Sequence, residues 1–276
     1  MSEKLQFFRQ YKLPHIWCAG CGHGTVTNAL VVAAEKVGLD KNKTVVVSGI
    51  GCSSRAPGYL DFDTLHTAHG RALAFATGVK HASPELKVIV ITGDGDCAAI
   101  GGNHFIHAAR RNIDITTIVM NNSIYGMTSG QFSPMTQKGS IGTTAPYGNV
   151  ERSFDLTKLS IAAGATFVGR ATSYHVQLLT TLLEKALQHK GFSVIEAVTQ
   201  CPTYFGRKNK IGSAVDMLNW YKEKAVNVKA AATMSPETLI GRFLIGELYY
   251  ENAPEFTEEY NKQVEHIRNN LKKGAN

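Results

Sequence analysis

Apolar positions in the first two-thirds of the chain alternate between two rhythms. Short, nearly continuous, β-branched runs at 44–50 (TVVVSGI), 87–93 (KVIVITG), 115–122 (ITTIVMNN), 166–170 (TFVGR) and 192–198 (FSVIEAV) predict buried strands. Between them, helical spacing predicts helices over 24–37, 70–82, 98–111, 156–164 and 174–189. This alternation predicts an α/β fold, a doubly wound and mostly parallel sheet covered on both faces. Ligands of such sheets sit beyond the carboxyl ends of the strands. The glycine-rich clusters of this chain fall at those ends.

Two segments break the rhythm. Residues 122–154 are rich in Gly, Ser, Thr and Pro, and a loop that long inside a compact domain signals function. From 206 onward the chain turns polar and charged, with helical segments expected in ETLIGRFLIGELYY and EYNKQVEHIRNNLKK. The expected division is a ligand-binding domain over 1–205 and a C-terminal extension over 206–276. The extension would pack on the domain or on a partner.

Composition narrows the picture. With 276 residues, 43% of them apolar, the chain can bury a substantial core. No run approaches the ~20 apolar residues that span a bilayer. The opening MSEKLQFFRQYKLPH lacks the apolar centre of a signal peptide. A cytoplasmic protein that engages no membrane is expected. The net charge of +7 does not point to nucleic acid, because the longest basic stretch, GRKNK at 206–210, is short and has no aromatic stripe beside it.

The chemistry concentrates at strand ends. After 87–93 the chain turns through Gly93-Asp94-Gly95-Asp96, and the glycines let backbone N–H groups approach an anion. The following helix N-terminus adds positive potential. Asp94 would repel a phosphate unless a hard cation lay between them. Mg²⁺ would accept the Asp94 carboxylate, the Asn122 side-chain oxygen and a backbone carbonyl such as that of Ile124. Four cysteines also stand outside the helices: the C-x-x-C pair Cys18 and Cys21, Cys52 after one strand, and Cys201 after another. Four thiolates suit a tetrahedral zinc or a [4Fe–4S] cluster. No strand immediately precedes the C-x-x-C, as a thioredoxin-like dithiol would require. Cys97 reads as a small buried hydrophobe, and His104 and His107 as structural residues of one helix.

The GDG turn followed by Asn121-Asn122 resembles the thiamine diphosphate fingerprint. HIWCAGCGHG, GIGCSSRAPGY, HTAHGRALAFATGVK, VITGDGD, NNSIYGMTSGQFSPMT and CPTYFGRKNK follow one another in this order. Together they resemble the β subunits of the 2-oxoacid:ferredoxin oxidoreductases, most of all the 2-oxoglutarate type. The resemblance implies a thiamine diphosphate-binding fold and a magnesium ion held by Asp94, Asn122 and the Ile124 carbonyl. It also implies one [4Fe–4S] cluster on Cys18, Cys21, Cys52 and Cys201. Ile50, Gly51, Ser53, His69, Gly93, Gly95, Asp96, Gly126 and Met127 would line the thiamine site. Arg55 would grip the substrate carboxylate, His69 would serve the diphosphate or the substrate, and Met127 would border the pocket. The implied reaction is the reversible, coenzyme A-dependent oxidative decarboxylation of 2-oxoglutarate to succinyl-CoA, with electrons passing through the cluster to ferredoxin. The chain has no second βαβ array, so the other half of a thiamine site is expected from an α subunit. Three alternatives remain at this level. They are the same reaction on pyruvate or a branched 2-oxoacid, half of a thiamine decarboxylase without a redox step, and a non-catalytic four-cysteine metal module.

Overall fold

The computed structural model describes residues 3–274. The predicted strands are present as β1 (Thr44–Ser48), β3 (Lys87–Gly93), β4 (Thr116–Asn121), β5 (Phe167–Thr172) and β6 (Ser193–Val198). The predicted helices are present as α1 (His23–Lys36), α2 (Ala72–Ala82), α3 (Gly102–Arg110), α4 (Leu156–Ala163) and α5 (Val176–Gln188). A wide π turn at Asp96–Ile100 precedes α3. The intervening 122–154 segment carries no helix or extended strand, as its composition predicts.

Three further strands escaped the sequence pattern. They are β2 (Asp63–His66), β7 (Ala225–Asn227) and β8 (Phe243–Tyr250). Helices α6 (Ala214–Lys224), α7 (Val228–Ala231) and α8 (Phe256–Gly274) complete the chain. The expected helix in ETLIGRFLIGELYY is corrected here: after a short 3₁₀ turn at Pro236–Leu239, its second half is β8. The reason is tertiary. β5 would otherwise be a sheet edge, and β8 pairs with it antiparallel.

The eight strands form one sheet in the order β2-β1-β3-β4-β6-β5-β8-β7, parallel except at the β5–β8 pair. Strand residues alternate between two cores, as the pleat demands. Val46, Ile89, Ile91, Ile118 and Ile195 face α1 and α5, whereas Val47, Val88, Val90, Val119 and Val194 face α2 and α3. Each such side chain, fully buried, contributes roughly 1.5–3 kcal/mol. The fold is therefore the doubly wound α/β type that the pattern predicts.

Pairing also sets the site. β1, β3, β4 and β6 are parallel neighbours, with Ser48 opposite Ile91, Gly93 opposite Met120 and Asn121 opposite Val198. The segments that follow these strands therefore meet at one sheet edge. They are the 49–58 loop, the Gly93–Asp96 turn, the Asn122–Gln131 segment and the Thr199–Gly206 segment.

Candidate functional site

At that edge lies a cavity of about 410 Å³, within the usual size range of small-molecule sites. Ile50, Gly51, Cys52, Ser53, His69, Gly93, Asp94, Gly95, Asp96, Asn122, Ile124, Gly126 and Met127 all line it. The structure thus brings together every sequence-predicted thiamine and magnesium residue.

Asp94 is buried where β3 ends. Its Oδ2 accepts a hydrogen bond from Ser133 Oγ at 2.5 Å. Burial pushes the carboxyl up to about 7, partly offset by the Ser133 bond. Asn122, also buried, accepts the Ile124 N–H on Oδ1 at 3.2 Å, which fixes its amide in place. A dry carboxylate beside an amide oxygen and a backbone carbonyl is a set of hard oxygen donors. That set suits Mg²⁺ and leaves its remaining positions to phosphate and water. Gly95 is needed for close approach, because a Cβ there would lie 2.2 Å from the Tyr125 ring. The Tyr125 hydroxyl in turn donates to Gly95 O at 3.2 Å, and its pKa is raised to about 12 by burial and the nearby Asp94 and Asp96.

Asp96 lines the cavity, but its oxygens are committed to the protein. Oδ1 accepts from Gly70 N–H at 2.7 Å and Ile50 N–H at 3.3 Å, and bonds His69 Nδ1 at 2.5 Å. Oδ2 accepts from Thr92 Oγ1 at 2.8 Å. Asp96 therefore ties the loop after β1 and the turn before α2 to the end of β3. A Cβ on Gly49 would lie 2.1 Å from Asp96 Oδ2, so that turn admits only glycine. His69 is oriented by this bond and by an edge contact with Tyr125, centroids 6.1 Å apart. Arg55 stands outside the cavity lining. Its Nη2 lies 2.6 Å from His66 Nε2, and its charge favours the Cys52 thiolate.

Hydrogen bonds of long sequence separation gather the cysteines. Trp17 Nε1 donates to Cys52 O at 2.7 Å. Gly22 N–H donates to Gln200 O at 3.2 Å, and Gln200 Nε2 donates to Gly20 O at 3.0 Å. These bonds tie the Cys18–Cys21 turn to Cys52 and Cys201. The Cys52 and Cys201 sulfurs lie 3.4 and 3.8 Å from the point where a Cβ on Gly126 would sit. Burial first, and then the neighbouring cysteines, raise Cys21 to about 12 and Cys52 to about 11. Burial and the Cys18 charge also raise Cys201, against opposing backbone hydrogen bonds. Such a group of thiols ionises only when a metal supplies compensating charge. Among the described residues, no three His, Cys, Asp or Glu side chains gather tightly enough to chelate a single ion.

Other predicted residues separate from the site. Cys97 is buried in the turn before α3, its thiol pushed up by burial. His104 and His107 lie on α3, outside the cavity. Sequence reasoning missed His23, Met120, Tyr125, Thr128 and Gln131, which also line the cavity. It also missed Ser133, which braces Asp94. His23 and Tyr125 stand inside the motifs already singled out. His23 is fully buried at the start of α1, and burial lowers its pKa to about 4. Ser133 carried no signal of its own.

Comparison with known proteins agrees with this geometry. The family described as thiamine pyrophosphate enzyme, C-terminal TPP binding domain, matches residues 49–197. The 2-oxoglutarate synthase subunit KorB of Methanothermobacter marburgensis is 53% identical over 95% of this chain and 92% of its own. The subunit of the same name from Methanocaldococcus jannaschii is 52% identical over 97% of this chain and 99% of its own. The solved 2-oxoglutarate:ferredoxin oxidoreductase of Magnetococcus marinus, with 2-oxoglutarate, coenzyme A and succinyl-CoA bound, superposes with a TM-score of 0.86. It is 33% identical and covers 96% of this chain and 90% of that one. The cavity at the strand ends, the cysteines beside it and these similarities agree: the chain belongs to the 2-oxoglutarate synthase KorB family, the β subunits of 2-oxoacid:ferredoxin oxidoreductases.

Proposed function

We propose that the chain is the thiamine diphosphate-binding subunit of a 2-oxoglutarate:ferredoxin oxidoreductase. With an α subunit it would convert 2-oxoglutarate and coenzyme A to succinyl-CoA and CO₂, passing the electrons to ferredoxin. The observation that carries this reading is a single loop, 49–58. Its start lines the Asp94–Asn122 cavity and its Cys52 belongs to the cysteine group. Carbon chemistry and electron acceptance thus share one short segment.

Asp94, Asn122 and the Ile124 carbonyl would hold Mg²⁺, with Gly93, Gly95, Gly126 and Met127 round the diphosphate. Bound thiamine diphosphate supplies a carbanion nucleophile for a 2-oxoacid carbonyl and a sink for the electrons left when CO₂ departs. Cys18, Cys21, Cys52 and Cys201 would hold a [4Fe–4S] cluster, which accepts one electron at a time. Arg55 would meet a substrate carboxylate, which a guanidinium can grip at two points. Apolar Ile50 and Met127 wall the cavity and, once covered by a partner, would limit the water that reaches it. Residues 1–205 would form the cofactor-binding domain and 206–276 the extension. Five free cysteines suit a reducing cytoplasm. No described helix is long and apolar enough to cross a membrane.

The test uses the complex reconstituted with its α subunit and prepared without oxygen. We expect about four irons and four labile sulfides per chain, with a clear preference in kcat/KM for 2-oxoglutarate over pyruvate. Absence of iron would remove the redox step. A preference for pyruvate would replace the substrate and leave the rest standing.

A further inference from the structure

We propose that His66 is a positioning residue for substrate recognition, an imidazole bracket that holds the Arg55 guanidinium at the mouth of the thiamine site. The inference rests on the reading of Arg55 as the cation that meets a substrate carboxylate.

The hydrogen bonds leave one consistent assignment. Arg55 Nη2 can only donate, so His66 Nε2, 2.6 Å away, accepts. The imidazole proton then sits on Nδ1, which donates to Ser48 Oγ at 2.9 Å. The Ser48 hydroxyl donates to Ser54 O at 3.5 Å, the residue before Arg55. The chain of contacts therefore closes on itself: Arg55, His66, Ser48, Ser54 and back to Arg55.

Arg55 needs such a bracket because, among the described residues, its side chain has no other hydrogen-bond or ion-pair partner. It takes part in none of the ion pairs among the described residues. Its Nε is buried with no partner. A neutral acceptor on one nitrogen orients the fork and leaves its charge unspent for an incoming carboxylate. A carboxylate in place of His66 would neutralise that charge. Burial and the adjacent guanidinium both hold the His66 pKa below its usual value, which favours the neutral ring.

The fold supports the same role. β2 is an edge strand with one neighbour, β1. Its pattern is exposed, exposed, half-buried, exposed, so it adds little to either core. Its register pairs Ser48 with His66. The strand thereby sets the imidazole beside the last residue of β1, where the 49–58 loop begins.

The experiment uses the complete αβ complex and steady-state kinetics with 2-oxoglutarate. His66→Ala should raise KM for 2-oxoglutarate about three- to tenfold, the worth of one hydrogen bond, with kcat and thiamine diphosphate affinity little changed. His66→Gln, which offers an acceptor to Arg55 and a donor to Ser48, should restore KM. In an Arg55→Gln background, where KM is already raised, His66→Ala should add nothing. An unchanged KM in Arg55→Gln would remove the carboxylate reading and the role of His66 with it. A raised KM in Arg55→Gln beside an unchanged KM in His66→Ala would overturn the role of His66 alone. Loss of thiamine diphosphate affinity in both His66 variants would mark a merely structural residue and overturn it too.

Discussion

Asp94 illustrates how one buried residue is prepared for a ligand. Its burial is unfavourable for a bare carboxylate, and Ser133, the side chain that bonds it among the described residues, is neutral. A divalent cation would remove that conflict. The two residues should therefore differ in degree when replaced. Ser133→Ala loosens a ligand's outer partner and should weaken magnesium-dependent thiamine diphosphate binding by about 10–100-fold. Asp94→Ala removes the proposed ligand and should weaken it further. Calorimetric titration of both variants with thiamine diphosphate and Mg²⁺ measures the order, and unchanged binding in Asp94→Ala would contradict the assignment. Asp94 was legible in the sequence because its GDG turn at one strand end is followed by Asn121-Asn122 at the end of the next. Ser133 and His66 were not, since their roles depend on contacts across 39 and 11 residues that no local pattern encodes.

At the scale of elements, legibility followed burial. β1, β3, β4 and β6 are sandwiched between helices, so their apolar runs announced them. β2 carries mostly exposed residues and left no signal. β8 carried an ambiguous one: its apolar run suits helix or strand, and the open edge of β5 decided the outcome. A buried ion pair ties α2 to the segment before β4, with a measurable consequence. Lys80 of α2 is 2% exposed and pairs with Asp114 at 2.8 Å, just before β4. Lys87 and Lys190 lie 3.8 and 3.4 Å from the same carboxylate. Burial alone would raise Asp114, but the three lysines outweigh it and hold its pKa below the ordinary value. A depressed carboxylate stabilises the fold above its unfolded value of about 3.9, and that stability is lost as pH falls through the lower, folded value. Asp114→Asn leaves Lys80 buried without its counter-charge and should cost about 3–5 kcal/mol at pH 7. Urea unfolding should show the gap between variant and parent narrowing toward about pH 3. A gap independent of pH would mean that the pairing charge is not the cause.

At the scale of the whole molecule, the cavity is open. Met127 and Ile50 line the cavity and are still 48% and 40% exposed, and Cys18 at the neighbouring cysteine group is exposed too. Apolar walls open to water would allow a carbanion to be protonated, so a covering surface is needed. Every described strand belongs to the one eight-stranded array, and the cavity lies open at its edge. The relatives are named as enzyme subunits, which makes an α subunit the proposed source of that surface. The chain alone, loaded with Mg²⁺ and thiamine diphosphate, should bind cofactor weakly and show no coenzyme A-dependent reduction of ferredoxin. Adding the α subunit should restore turnover and tighten cofactor binding together, because both depend on closing the same wall. Titrating one subunit into the other while following ferredoxin reduction measures this, and sustained turnover by the isolated chain would show that the cavity is already complete.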